Sequence, residues 1–258
     1  TPAKPGTPIV ETKEVTDPNG NIIRNTKDRI FIQSKVFDNP DLVHNNPDYI
    51  ASLAMMPEAE RRALLEGDWD SFGGQVFKEW KNDQEGYDTQ QWSHVINPFK
   101  IPEGWEIIRG YDHGYAKPFS VGWYAVNYTG CIYRIRELYG MKKDSPNVGI
   151  EIQPADVARQ IRAIEETDPN LKGRRITGIA DPSIFAKDRG PSIADTMAKM
   201  GVYWSPGDNH RIAGKMQYHY RMAFDEHGRS MFYVFNNCKE FIRTVPNLVY
   251  DEKDVEDV

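Results

Sequence analysis

The sequence has little cysteine. Cys131 and Cys238 are its two, far apart and without a CxxC partner. That excludes a disulfide scaffold and a thiolate zinc site, suits a reducing cytoplasm, and leaves both thiols as buried apolar residues. No apolar run approaches the roughly 18 residues of a membrane span. The opening Thr1-Pro2-Ala3-Lys4-Pro5-Gly6 has neither the basic nor the apolar region of a secretory leader. Internal repeats and low-complexity blocks are absent as well. Gly207 to Lys215 comes nearest to a phosphate loop, but its glycine spacing is wrong and Met216 stands where Ser or Thr is needed, so ATP binding there is rejected. Positive charge is also short: 32 Lys and Arg against 38 Asp and Glu give a net charge of -6. Such a balance argues against a protein that coats nucleic acid or an acidic membrane. The first residue is not Met, and Tyr250 to Val258 run out in acidic residues without a helix or cap signal, so the chain reads as a piece of something longer.

What is present suffices for a core: 39% of the residues are hydrophobic and 12% aromatic. Asp17-Pro18-Asn19-Gly20 is a strong turn signal between Ile9-Val10 and Ile22-Ile23, which predicts a hairpin. Arg29 to Ile32 reads as a short strand and Asp38-Asn39-Pro40-Asp41 as a turn. From Pro47 to Gly67 the apolar spacing predicts two helices, with Pro57 in the first turn of the second. Segment 68 to 100, with Trp69, Phe72, Phe77, Trp80, Tyr87 and Trp92, reads as an aromatic linker packed on a neighbour.

From Trp105 the texture changes. Glu106 to Tyr111, Ser120 to Val126 and Cys131 to Leu138 read as strands, the last two joined as a hairpin through Asn127 to Gly130. A helix carrying Val157, Ile161 and Ile164 on one face follows, with Asp156 in its first turn. Arg175 to Ala180 is then a fourth strand, reached by a crossover and so parallel to the first. A short helix from Ser192 to Met200 leads to a fifth strand at Val202 to Trp204. Hairpin strands followed by alternating helices and parallel strands is the order of the ribonuclease H-like fold: an α/β class with a mixed sheet flanked by helices, here preceded by a hairpin and helical arm.

Two carboxylates stand out by position. Asp112 ends the first of these strands, between Gly110 and Gly114, and Asp181 ends the fourth, where Pro182 stops it. Either alone is an ordinary turn former. Together, at the C-terminal ends of parallel neighbours, they converge where ligands collect in open α/β sheets. Paired carboxylates repel unless a hard cation lies between them, which points to Mg2+ or Mn2+, and two such ions would serve phosphodiester hydrolysis. Glu137 is a candidate further ligand or else a charge partner of Arg134 or Arg136. His113 adjoins the first acid as a candidate ligand, although strand alternation turns it to the opposite face. Residues 172 to 229 hold 10 basic against 6 acidic side chains, the one positive stretch of the chain. Lys187, Arg189, Arg211, Lys215 and Arg221 are its candidate DNA-backbone contacts, with a solvated helix face as the alternative. The excess acid lies in residues 1 to 100 and in the tail.

Arg109 to Gly114, Ala180-Asp181-Pro182-Ser183, Asn209 to Gly214 and Phe235 to Pro246 together resemble the C-terminal nuclease region of the large terminase subunit of tailed bacteriophages. Leu64-Leu65-Glu66-Gly67-Asp68-Trp69-Asp70 is similar to the close of that family's ATPase domain. The resemblance implies an ATPase remnant at 1–67, a linker at 68–100 and a ribonuclease H-like nuclease domain at 101–258. It implies an endonuclease that cuts double-stranded viral DNA during packaging, with two Mg2+ or Mn2+ ions held by Asp112 and Asp181. A third acid is expected beyond Val258, and Asp251, Asp254 and Asp257 are not assigned to that role. The implied partners are double-stranded DNA, the portal protein, the small terminase subunit, the chain's own ATPase domain and further copies of itself, with no membrane. The setting is the host bacterial cytoplasm, transiently at the procapsid portal. Other readings are a different ribonuclease H-like enzyme, such as a transposase or junction resolvase, and a non-catalytic module that docks on DNA or the portal.

Overall fold

The computed structural model describes residues 8–16, 22–30, 35–54, 64–65, 75–187 and 190–250. The chain forms two compact units, Thr1–Lys78 and Glu79–Val258.

In the smaller unit, β1 (Pro8–Thr16) and β2 (Ile22–Ile30) pair antiparallel, with Thr16 opposite Ile22. The expected hairpin therefore forms, and β2 takes in Arg29 and Ile30, which had read as the start of a separate strand; Asp17 to Gly20, Phe31 and Ile32 lie outside the described residues. The expected turn at Asp38 to Asp41 is instead a helix start. The Asn39 side chain accepts from the Leu42 amide at 3.1 Å, and Pro40 opens α1 (Pro40–Asn45). Asn is a strong N-cap, and Pro at the first position loses no hydrogen bond. The next helix, α2 (Pro47–Ala54), is the first of the expected pair. Of the second helix only Leu64 and Leu65 are described, both helical.

The larger unit is built on a seven-stranded mixed sheet of order β10-β9-β4-β5-β6-β11-β3. Its centre is an antiparallel meander of β4 (Glu106–Asp112), β5 (Ser120–Val126) and β6 (Ile132–Tyr139). Alternation along β4 buries Ile107, Arg109 and Tyr111 on one face. α3 (Pro154–Thr167) crosses over that face, with Val157, Ala158 and Ile161 buried beneath it. The chain then returns as β9 (Ile176–Ala180), parallel to β4 as a crossover requires. After α4 (Ile193–Ala198) the fifth strand was expected at Val202 to Trp204. The ladder forms later, as β10 (Ser205–Pro206), parallel to β9. At the expected position the Tyr203 carbonyl accepts from Arg109 Nη2 at 2.9 Å and lies over Gly178.

α5 (Arg211–Met222) and α6 (Lys239–Thr244) lie over the opposite face: Tyr218 of α5 stands edge-on to Phe232, and Phe241 of α6 packs against the same ring. Between them in sequence, β11 (Phe232–Phe235) pairs parallel to β6 on one side and to β3 (Val95–Ile96) on the other. β3 comes from the segment that had read as linker. Of that segment's aromatics, Trp80 packs within the unit, stacking on His94 at 5.3 Å and standing edge-on to Phe241. A small ribbon of β7 (Met141–Lys142) and β8 (Ser145–Gly149) follows β6.

Candidate functional site

Register sets the two acids side by side. Tyr111 of β4 pairs with Ala180 of β9, so Asp112 and Asp181 are the next residues of neighbouring parallel strands. The Asp181 amide donates to the Tyr111 carbonyl at 3.2 Å, which ties the strand ends together. Both acids line a cleft of about 490 Å³ with Ser120, Gly122, Tyr124, Arg134, Asp208 and Arg211 among its other walls.

The environments of the acids differ. Desolvation first, and the neighbouring Asp181 charge second, push the Asp112 carboxyl above its usual range, although one side of the residue meets solvent. Asp181 is exposed and moves the opposite way: hydrogen bonding by the Ser183 side chain first and by the Ser183 amide at 2.8 Å second, aided by Arg211, holds it below the usual range. Asp181 is thus the firmly ionised member of the pair, and Asp112 the one that gains most from an incoming cation.

Two glycines lie beside the acids. Gly110 pairs with Gly122 across β4 and β5, two residues before Asp112 on the same face. A Cβ at Gly122 would fall 2.8 Å from the Tyr124 hydroxyl and from Arg134 Cζ, so glycine is what lets both side chains lie across the strand. Arg134 is 4% exposed, donates through Nη1 to the Tyr124 hydroxyl, and has Phe241 under its guanidinium at 4.5 Å.

The remaining candidates fall elsewhere. His113 turns away as alternation implied: its Nδ1 is hydrogen-bonded to the Tyr111 hydroxyl at 2.7 Å, a phenol held protonated by burial. Glu137 is on the cleft face but does not line the cleft. Its carboxylate accepts from the Glu240 and Phe241 amides at 2.7 and 3.0 Å, capping α6, and lies 3.6 Å from Arg134. The charge-partner alternative describes it, though within one strand rather than across two. Of the basic candidates, Arg211 alone is in the cleft wall. Lys187 pairs with Asp195 at 2.9 Å, Lys215 lies 5.0 Å over the Tyr250 ring, and Arg221 donates to the Gly130 carbonyl at 2.8 Å. Arg189 is outside the described residues.

Sequence reading missed Arg134 and Asp208. Residues 134 and 137 should face opposite sides of a regular strand, but the register of β6 against β5 shifts between Trp123 and Tyr124, with Ile135 as the extra residue. That bulge puts Arg134 and Glu137 on one face. Asp208 lines the cleft with its carboxylate on the His210 amide at 3.0 Å and on the His210 ring. Among the described residues no three His, Cys, Asp or Glu side chains gather as a metal-binding group. No helix among them is long and apolar enough to cross a membrane.

Comparison with solved structures gives this arrangement relatives. The P22 large terminase nuclease domain matches 70% of the chain and 82% of its own length, with a TM-score of 0.50 and 17% identity. The large terminase of a thermophilic bacteriophage, in complex with ADP, matches 88% of the chain at a TM-score of 0.52 and 16% identity. The fold is that of a phage large-terminase nuclease domain. The chain spans about half the length of the thermophilic phage's terminase, 49% of it. No family model matches the sequence, nor does any curated protein. The likeness to the terminase nuclease domain is therefore one of fold, carried by the mixed sheet and its flanking helices, at an identity where sequence alone aligns little.

Proposed function

We propose that the chain hydrolyses phosphodiester bonds of double-stranded DNA as the nuclease of a phage packaging terminase. One observation carries the reading: in a terminase nuclease fold, Asp112 and Asp181 end adjacent parallel strands and line one cleft with Arg211. The donors fit a hard divalent cation, because two carboxylate oxygen sets are crowded enough for one charge to raise the other's pKa. Asp112 and Asp181 would hold Mg2+ or Mn2+, which when bound supplies Lewis-acid polarisation and neutralises charge developing on the departing oxygen. The protein's own part is positional. Asp181 stays ionised through the Ser183 side chain and amide and through Arg211, Gly110 and Gly122 let Tyr124 and Arg134 lie across the sheet into the cleft wall, and Arg211 offers charge to a phosphate. In the overall reaction water adds to phosphorus, one P–O ester bond breaks, and a proton passes to the departing oxygen.

Asp112→Ala and Asp181→Ala should each reduce Mn2+-dependent plasmid cleavage to background while circular dichroism and thermal unfolding stay close to wild type. Wild-type nicking by either variant removes the assignment. A packaging role brings the remaining partners with it: portal protein, small terminase subunit, an ATPase domain at 1–67 and beyond, and further copies in a motor. It also brings the host cytoplasm and the procapsid portal as the setting. A sequence-specific transposase or junction resolvase would prefer particular or branched DNA, whereas a packaging nuclease cuts linear and circular duplexes alike.

A non-catalytic docking role has one observation in its favour: among the described residues no three His, Cys, Asp or Glu side chains gather as a metal-binding group. Duplex binding without cleavage in Mg2+ or Mn2+ would select it.

A further inference from the structure

We infer that Arg134 is a phosphate-contact residue of the cleft, gripping the DNA backbone across Gly110 and Gly122 from the two acids. The inference deepens the nuclease reading and rests on it for the identity of the ligand as a nucleic-acid phosphate.

The case begins with the charge balance around a guanidinium that is 4% exposed. Burying such an ion is costly unless a carboxylate and hydrogen bonds compensate it. Its carboxylate, Glu137, is 3.6 Å away, beyond hydrogen-bond reach, and already accepts from the Glu240 and Phe241 amides. Tyr124 takes Nη1, while Nε has no hydrogen-bond partner. The cation is held by a phenol, an aromatic face and a buried ion pair with a carboxylate that it shares with two helix amides.

The small exposed part of Arg134 belongs to the cleft wall. The guanidinium lies over Gly122, one strand across and two residues along from Asp112, or roughly 8 Å in the sheet plane by strand geometry. Gly110 and Gly122 face each other across that gap, and the Tyr124 ring that receives the guanidinium lies over them, with Tyr124 and Arg134 both in the cleft wall. Opposite stands the start of α5, where the N-cap His210 makes no side-chain cap, the first turn holds no acid, and Arg211 lines the cleft. A helix N-terminus favours an anion, and here Asp208 takes up the His210 amide while Arg211 carries the positive charge that faces the cleft. An ionised diester between the acids and these donors would meet a planar fork, whose geometry suits phosphate oxygens better than an ammonium does. Asp208 in the same wall is engaged with His210.

Arg134→Lys in the 258-residue chain keeps the charge and removes the fork. Binding of a fluorescent duplex of about 20 base pairs in Ca2+ should weaken by roughly threefold to tenfold. Cleavage in Mn2+ should fall by a larger factor, with kcat affected more than KM. Calorimetric Mn2+ affinity should stay at the wild-type value, which a role confined to holding β6 against α6 does not explain alongside weaker DNA binding. A folded Arg134→Lys variant with wild-type duplex affinity overturns the inference. Should that variant fail to fold, the wild-type protein decides: the assigned Arg134 Nε–Hε resonance should shift as duplex is added in Ca2+, and an unmoved resonance at saturation is fatal. Wild-type protein that binds duplex but never cleaves removes the nuclease reading alone, since both binding measurements still judge Arg134. Wild-type protein that binds no duplex removes both.

Discussion

Two buried arginines lie on opposite faces of one sheet, each 4% exposed, and their surroundings are unequal. Arg109 faces α3. It donates to Glu165 Oε1 at 2.6 Å and to the Tyr203 carbonyl at 2.9 Å, with Trp204 under its guanidinium at 4.2 Å, and Trp123 Nε1 donates to the same Glu165 oxygen at 2.9 Å. Arg134 faces the cleft and has its carboxylate 3.6 Å away, shared with two helix amides. Both leave Nε without a partner, so the difference lies in the carboxylate and in what the other side opens onto. Arg109 braces a closed layer through direct hydrogen bonds, whereas Arg134 shares its carboxylate with a helix start and borders an open cleft, where a charged fork can also meet an anion.

The contrast can be broken by removing each carboxylate in turn. Glu165→Gln should cost about 4 kcal/mol, measured by urea unfolding, because it strands a well-bonded buried cation and loosens Trp123. If it costs less than Glu137→Gln, the two faces have been ranked wrongly.

Acid should act next, and on the cleft-side layer. His94 accepts the Lys81 amide on Nδ1 at 2.9 Å and donates from Nε2 to the Met222 carbonyl at 2.7 Å, at the end of α5. Protonating Nδ1 would set N–H against N–H, and burial pushes the imidazole down from 6.5 to about 4. The folded pKa is the depressed one, so this stability is complete above about pH 6.5 and is lost as pH falls towards 4. Full linkage over that window is about 3 kcal/mol. Urea midpoints from about pH 7 to about pH 4 should fall accordingly, and His94→Phe, weaker at neutral pH, should give a flatter profile. Hydrogen exchange should quicken at the C-terminal end of α5 before it quickens in α3.

Glu137→Gln should cost about 2 kcal/mol in the same assay, since glutamine still accepts from the α6 amides but withdraws the charge. The smallest effect belongs to the surface: Lys187→Ala, whose ion pair with Asp195 is exposed on both sides, should stay within about 0.5 kcal/mol.

Much of this architecture is legible without coordinates. β4, β5 and β6 follow from alternation and from the turn at Asn127 to Gly130, and the parallel placement of β9 follows from its crossover. Asp112 and Asp181 follow in turn, as strand ends of parallel neighbours. β11 does not: Phe232 to Phe235 are all buried, so the segment has no alternation to read. β3 is two residues long and takes its identity from pairing with β11. β10 lies beyond the expected Val202 to Trp204, where the Tyr203 carbonyl meets Arg109, a contact between residues distant in sequence.

The amino-acid sequence by itself determined the α/β order, the adjacency of two carboxylates and the absence of a phosphate loop, since each depends on local period, turn chemistry or spacing. Tertiary structure decided which charges meet them. Of the five basic residues singled out, Arg211 reaches the cleft among those described, while Lys187, Lys215 and Arg221 engage other partners. Arg134 arrives through one extra residue in β6 that reverses its face and through a glycine that lets it cross β5. Strand alternation is a two-state property, so a single bulge inverts every orientation inferred beyond it, and only the pairing partner reveals where the bulge lies.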